Sequence, residues 1–190
     1  MKILAIQNRM GIGDMVIFLP YIEAVAKKYN SQVTLLVKEN SKAEHLIKDN
    51  KYIKEIIILK RDQTKKNFHD GFSGFFRLVS EIKKHQFDKV LIFNSSLRYN
   101  LVCKFAGIND IYQYPLLEKK NQHILNAANN LLKNKFNLEI KSDPIIYIKD
   151  ENVQNIKVKF NFSADVKNIL LGIGGSGPTK RIPPKIFIEF

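Results

Sequence analysis

A single cysteine, Cys103, leaves this 190-residue chain no partner for an internal disulfide, and a reducing, cytoplasmic setting is the expectation. No apolar run approaches the ~20 residues that cross a bilayer. The opening stretch 1–6 is too short for a signal peptide and has no small-residue cleavage site after it. The four histidines, His45, His69, His85 and His123, have no metal-ligand spacing, so they point to no metal site. Arginine is scarce. Of 31 basic residues only Arg9, Arg61, Arg77, Arg98 and Arg181 are arginine, and the other 26 are lysine. Lysine is a hydrated point charge, whereas arginine recognises in a planar, bidentate way. The net charge of +13 therefore suggests general attraction to an anionic partner. An anionic membrane surface, a phosphorylated glycolipid and nucleic acid are candidates, and a Lys-, Asn- and Ile-rich bias in composition is the bland alternative. Nucleic acid has the charge in its favour but no recognition motif, and it is not expected as the partner.

What the chain does contain is ordinary for a folded globular protein: 45% hydrophobic and 26% charged residues. Strand-like and helix-like segments alternate. Extended segments are expected over 2–7, 32–37, 53–59, 88–93 and 111–114. Helices are expected over 14–29, 41–49, 72–85, 97–105 and 122–136, with a kink or late start at Pro20, a Ser41 cap and a stop at Gly107. A basic loop is expected over 60–70, and an extended stretch follows Pro144. Strands joined by helical crossovers imply an α/β fold, a Rossmann-like parallel sheet with helices on both faces. In such sheets ligands bind beyond the carboxyl ends of the strands. After residue 166 the pattern restarts, with a strand over 168–173, a Gly/Ser loop and the first turns of a helix over 185–190. The expectation is a domain over 1–166 and the truncated beginning of a second over 167–190.

Three strand-end segments are candidates for chemistry. Gly11-Ile12-Gly13-Asp14 is not a dinucleotide fingerprint, because Val16 stands where the third glycine belongs and Asp14 is acidic where a pyrophosphate needs bare amides. The glycines allow close approach of a ligand. Asp14 is either a helix N-cap or a general base. Asn94-Ser95-Ser96-Leu97-Arg98 offers either a serine cap or a set of acceptor contacts. Gly174-Gly175-Ser176-Gly177-Pro178-Thr179-Lys180-Arg181 is no P-loop, since Pro178 follows Gly177. It is either an anion-binding loop or a surface loop with solvated cations.

Taken in order, these segments resemble glycosyltransferase family 9, the ADP-heptose:lipopolysaccharide heptosyltransferases and their relatives. The likeness rests on the opening strand with Ile12-Gly13-Asp14 and Pro20, on 87–98 ending near Ala106-Gly107, and on Gly174–Ser176 followed by Lys180-Arg181-Ile182-Pro183. Ile182, Asn94-Ser95 and Gly174 depart from the family's usual residues. The resemblance implies the N-terminal domain of a GT-B architecture and an inverting, metal-independent transfer of a sugar from a nucleotide-sugar to a lipopolysaccharide-type, anionic glycolipid. It implies Asp14 as the base and Lys180 as the stabiliser of the departing diphosphate. Gly11, Gly13, Asn94, Ser95, Ser96 and Arg98 become acceptor contacts, and Gly175, Ser176, Lys180 and Arg181 donor-phosphate contacts. It also implies peripheral contact with the cytoplasmic membrane face. Because the family's donor motifs are expected beyond Phe190, this chain alone is expected to be inactive. The alternative is a non-catalytic acceptor-binding module.

Overall fold

The computed structural model describes residues 1–9, 11–61, 68–116, 122–163, 165–172, 174 and 181–188. The chain divides into two compact units, Met1–Tyr147 and Ile148–Phe190. The division expected at 166/167 falls inside the second.

The first unit is a five-stranded parallel sheet in the order β3-β2-β1-β4-β5. Its strands are β1 (Ile3–Gln7), β2 (Val33–Lys38), β3 (Ile53–Leu59), β4 (Lys89–Ile92) and β5 (Asp110–Gln113). The helices between them are α1 (Ile12–Lys28), the short α2 (Ala43–Leu46), α3 (Gly71–His85), α4 (Leu97–Phe105) and α5 (Ile124–Phe136). Successive side chains of a strand face opposite ways, and the sequence uses that. Ile3 and Ala5 of β1 join Val33, Leu35 and Val37 of β2 under α1 and α5. Leu4 and Ile6 join Leu36, Val90 and Ile92 under α3 and α4. Both faces of the central strand are thus covered, and every residue of β1 is buried.

Several expectations are corrected here. Helix α1 starts at Ile12 and runs through Pro20, so there is no late start. Its N-cap is Gly11, and Asp14 lies in the first turn, so Asp14 is not the cap. Gly11 has φ 113 and ψ 158, a conformation essentially confined to glycine. The helix expected over 41–49 is a 3₁₀ turn (Glu39–Ser41) followed by α2. Ser41 still serves it, its Oγ accepting from the Ala43 amide at 3.3 Å. Of the basic loop, residues 62–67 lie outside those described.

The second unit contains α6 (Asp150–Lys159) and α7 (Pro184–Ile188). Helix α6 was not anticipated. Asp150 and Glu151 at its start and Lys157 and Lys159 at its end match the helix dipole, and it buries no residue. The strand expected over 168–173 does not form across 168–172, and Ile173 is outside the described residues. A strand needs a ladder partner, and among the described residues of this unit no second strand offers one.

One contact in the first unit has no slack. A Cβ at Gly74 of α3 would lie 2.4 Å from the backbone carbon of His69. Alanine ordinarily favours a helix over glycine by about 0.5–1 kcal/mol. At Gly74 the backbone clash outweighs that, and Gly74→Ala should destabilise by about 1–3 kcal/mol. Gly13→Ala, where nothing lies within 4 Å of the added carbon, should be neutral or mildly stabilising. Urea unfolding of the two variants checks this. Equal midpoints would show that α3 can shift away from His69.

Candidate functional site

Strand β1 pairs with β2 on one side and β4 on the other, so the chain reverses its winding there. The loops leaving β1 and β4 diverge and open a crevice at the carboxyl edge, where ligands bind in sheets of this kind. The last backbone-to-backbone link across it, among the described residues, is the Phe93 amide donating to the Ile6 carbonyl at 3.0 Å.

Neutral amide side chains tie the walls of this crevice together. Asn94 Nδ2 donates to Asn8 Oδ1 at 2.9 Å, joining the loop after β4 to the loop after β1. Asn94 Oδ1 accepts from the Ser96 amide at 2.8 Å. Gln113 Nε2 donates to the carbonyls of Asn94 and Ser96, and Gln113 Oε1 accepts from Asn100 Nδ2 at 2.8 Å. Ser96 occupies the N-cap position of α4 but makes no side-chain cap bond. Asn94 turns the chain into the helix instead, a local amide-to-backbone bond of the kind Asn favours. Ser95 is exposed on the rim.

On the β1 side, buried Gln7 organises the approach to α1. Its Nε2 donates to the Asp14 carbonyl at 3.2 Å, and its Oε1 accepts from the Arg9 amide at 3.1 Å. The Arg9 side chain then meets Asp14, Nε to Oδ1 at 3.3 Å. The Asp14 side chain is 25% exposed, so its carboxylate is reachable from solvent. Gly11 presents no side chain to the other oxygen, and a Cβ there would stand 3.7 Å from Oδ2. Gly13 is exposed in the first turn of α1.

Beside this lies a cleft of about 550 Å³ between the ends of β4 and β5 and helix α5, lined by Arg9, Asn94, Gln113, Tyr114, Asn130 and Lys135 among others. Among the described residues, the buried Tyr114 hydroxyl has no hydrogen-bond partner. Burial pushes its ionisation well above the ordinary tyrosine range.

The structure therefore brings together Gly11, Gly13, Asp14, Asn94, Ser95 and Ser96. Arg98 is engaged elsewhere. Its guanidinium donates to the His69 carbonyl at 2.6 Å and to the Gly71 carbonyl at 3.2 Å, bracing the entry to α3. Gly175, Ser176 and Lys180 lie outside the described residues. Arg181 is described, in the second unit. Arg9, Asn8, Gln113 and Tyr114 were not singled out from the sequence. Each stands at or just after the end of a strand, and that position alone would have flagged them. Cys103 is buried with its thiol pushed up to about 12 by desolvation, a core residue. Among the described residues, no group of three His, Cys, Asp or Glu side chains could hold a metal ion, and no helix is long and apolar enough to cross a membrane.

No protein-family model matches the sequence, and no curated protein matches it. Solved structures do match the fold. A glycosyltransferase family 9 structure from Veillonella parvula is 21% identical, with a TM-score of 0.74 over 99% of this chain and 58% of its own. An ADP-heptose lipopolysaccharide heptosyltransferase II from E. coli is 16% identical, with a TM-score of 0.57 over 86% of this chain and 52% of its own. The chain thus spans little more than half the length of either. At such identities the likeness is one of fold, and it falls on the family that the motifs resemble.

The engagement of Arg98 has a measurable consequence. A guanidinium donating to two backbone carbonyls in a half-buried setting is worth about 1.5 kcal/mol. Arg98→Gln should lower the unfolding free energy by roughly that amount. A change within about 0.5 kcal/mol, typical of surface positions, would mean that these bonds do not brace α3.

Proposed function

We propose that the chain supplies the acceptor-binding, Rossmann-like unit of a glycosyltransferase of family 9, in a two-domain GT-B architecture. In this reading the enzyme moves a sugar from a nucleotide-sugar of the ADP-heptose kind to a lipopolysaccharide-type glycolipid. The observation that carries the proposal is the fold likeness to a family 9 structure over 99% of the chain, in a sequence whose ordered motifs resemble the same family.

The acceptor hydroxyl enters the crevice between the loops after β1 and β4. Asp14 takes its proton as the oxygen attacks the anomeric carbon, and the nucleoside diphosphate leaves from the opposite face, inverting that centre. Support for Asp14 in this role is its place at the crevice mouth, its partial exposure and its contact with Arg9, which orients one carboxylate oxygen and leaves the other to the substrate. The amide groups of Asn94 and Gln113 suit the hydroxyls of a sugar, since each both donates and accepts. Lys180 is proposed to stabilise charge on the departing diphosphate, and Gly175, Ser176 and Arg181 are proposed as further donor-phosphate contacts. That part rests on the resemblance of those residues alone, and no metal is needed in it. The residues from 167 onward are proposed as the beginning of the donor domain.

Two measurements test this reading. In amide spectra of the 190-residue chain, a delipidated lipopolysaccharide-core oligosaccharide should shift Arg9, Gly11, Asn94 and Ser95 and should saturate. Shifts scattered over lysine-rich surface and erased by salt would instead indicate diffuse charge attraction. In a polypeptide that carries this chain and turns over, Asp14→Asn should slow transfer about 10²–10⁴-fold with acceptor affinity nearly unchanged. An unaltered rate would leave Asp14 a partner of Arg9 and nothing more.

A further inference from the structure

The outer surface of α3 and α4 carries apolar side chains that the fold does not bury. On α3, Phe72 and Phe76 stand one turn apart and are 83% and 50% exposed. On α4, Leu97, Leu101 and Phe105 recur every four residues, so they share one face, with Leu97 56% and Phe105 61% exposed. The two stripes are continuous. Phe72 meets Phe76 edge-on at 5.1 Å, Phe76 meets Phe75 at 5.2 Å, and Phe75 reaches across to Phe105 at 5.8 Å. The core does not require this arrangement, since α3 already anchors itself through Gly74, Leu78 and Ile82. Single exposed apolar residues are normal, but a connected aromatic surface is not.

Charge indicates the occupant. Apart from Arg98, which is held by the His69 and Gly71 carbonyls, the same two helices carry Arg77, Lys83, Lys84 and Lys104 against one acid, Glu81. The Glu81 carboxylate is itself taken up by buried His69, with Nε2 to Oε2 at 2.8 Å. A second copy of this surface would meet it with like charge. An anionic bilayer offers both an apolar interior for the rings and phosphate headgroups for the cations, the combination that interfacial helices use.

We propose that α3 and α4 form a membrane-docking face. Phe72, Phe76, Leu97, Leu101 and Phe105 enter the headgroup–acyl boundary of an anionic lipid surface, and Arg77, Lys83, Lys84 and Lys104 rest on its phosphates. Neither element suffices alone: the rings supply insertion, the cations supply attraction to acidic lipid. The proposal does not depend on the transferase reading, because the lipid partner needs no sugar.

The test uses the full chain and vesicles free of glycolipid, either pure phosphatidylcholine or with about one-third phosphatidylglycerol, well into the range where basic clusters are attracted. The chain should cosediment with the acidic vesicles and only weakly with the neutral ones. Phe72→Ser and Phe76→Ser should each weaken binding by roughly tenfold or more, with unchanged circular dichroism. The sequence has no tryptophan, so Phe72→Trp installs a single reporter. Its emission should shift to the blue on acidic vesicles and be quenched by lipids brominated in their acyl chains. Binding that survives both serine substitutions, or a tryptophan that stays unquenched, would overturn the proposal in favour of lysine attraction alone. A concentration-dependent dimer broken by the same serines would overturn it in favour of a second copy on this face.

Discussion

Strand β1 is hydrogen-bonded along both edges. Residues 3 to 6 pair with Val33–Leu36 on one side and with Lys89–Ile92 on the other. That double pairing divides the fold: β2 and β3 lie to one side, β4 and β5 to the other. Right-handed crossovers then put α1 on one face and α3 and α4 on the opposite face, and α5, which follows the last strand, packs beside α1. The strand can hold this position only if both faces are apolar, and Ile3-Leu4-Ala5-Ile6 meets that demand. The crevice follows from the same pairing. The ladder between β1 and β4 ends at Ile6 and Ile92, while the ladder between β1 and β2 continues through Gln7 and Val37. Gln7 is therefore the first residue of β1 whose β4-side neighbour has turned away, and its buried side chain bonds the backbone of the diverging segment instead.

The polar groups of the crevice are of two kinds, and the division has an energetic logic. Asn8, Asn94, Gln113 and Asn100 satisfy one another and nearby carbonyls without charge. A neutral network of this sort fixes loop positions without the several kcal/mol that desolvating each ion costs in a buried pair. The charged pair Arg9 and Asp14 is left at the mouth, where water still reaches both side chains. Rigid walls and a solvated carboxylate are what the proposed transfer asks of this site, a hold on a polyhydroxylated molecule and a group to accept its proton.

How far this was legible in the sequence varied with how local the cause was. Buried parallel strands appear as short apolar runs, and all five of this sheet were found within one or two residues. Helix α4 was read at its exact bounds, because its apolar periodicity stops just short of Gly107. Asp14 could be placed at a strand end but not in the right helical position. A glycine at φ 113 can serve as N-cap, and that moved the start of α1 upstream. Arg98 was assigned to the crevice because it follows β4. Its partners lie 27 and 29 residues earlier, beyond any local pattern. The link from Asn94 to Asn8, across 86 residues, was invisible for the same reason. The strand expected over 168–173 failed in the opposite way: its composition is strand-like, but pairing is not a property of composition.

Under the two proposals together, the winding would let the crevice and the apolar face serve one lipid-anchored substrate. Each helix that follows a strand of a parallel sheet begins at the carboxyl edge, so the first turns of α1, α3 and α4 share that edge. Asp14 lies in the first turn of α1, Phe72 in the first turn of α3, and Leu97 opens α4. The exposed stripe of α3 and α4 thus starts at the rim of the crevice and runs away from it, on the face opposite α1 and α5. A lipid-anchored sugar chain rises from the headgroup plane. A protein resting on that plane can reach it only if its site opens beside the contact surface. A crevice behind that surface would be blocked by the bilayer, and one on the far side would be out of reach. The sheet order β3-β2-β1-β4-β5 meets this condition without any further element, because the two helices that flank the switch point on one face are the two that carry the phenylalanines.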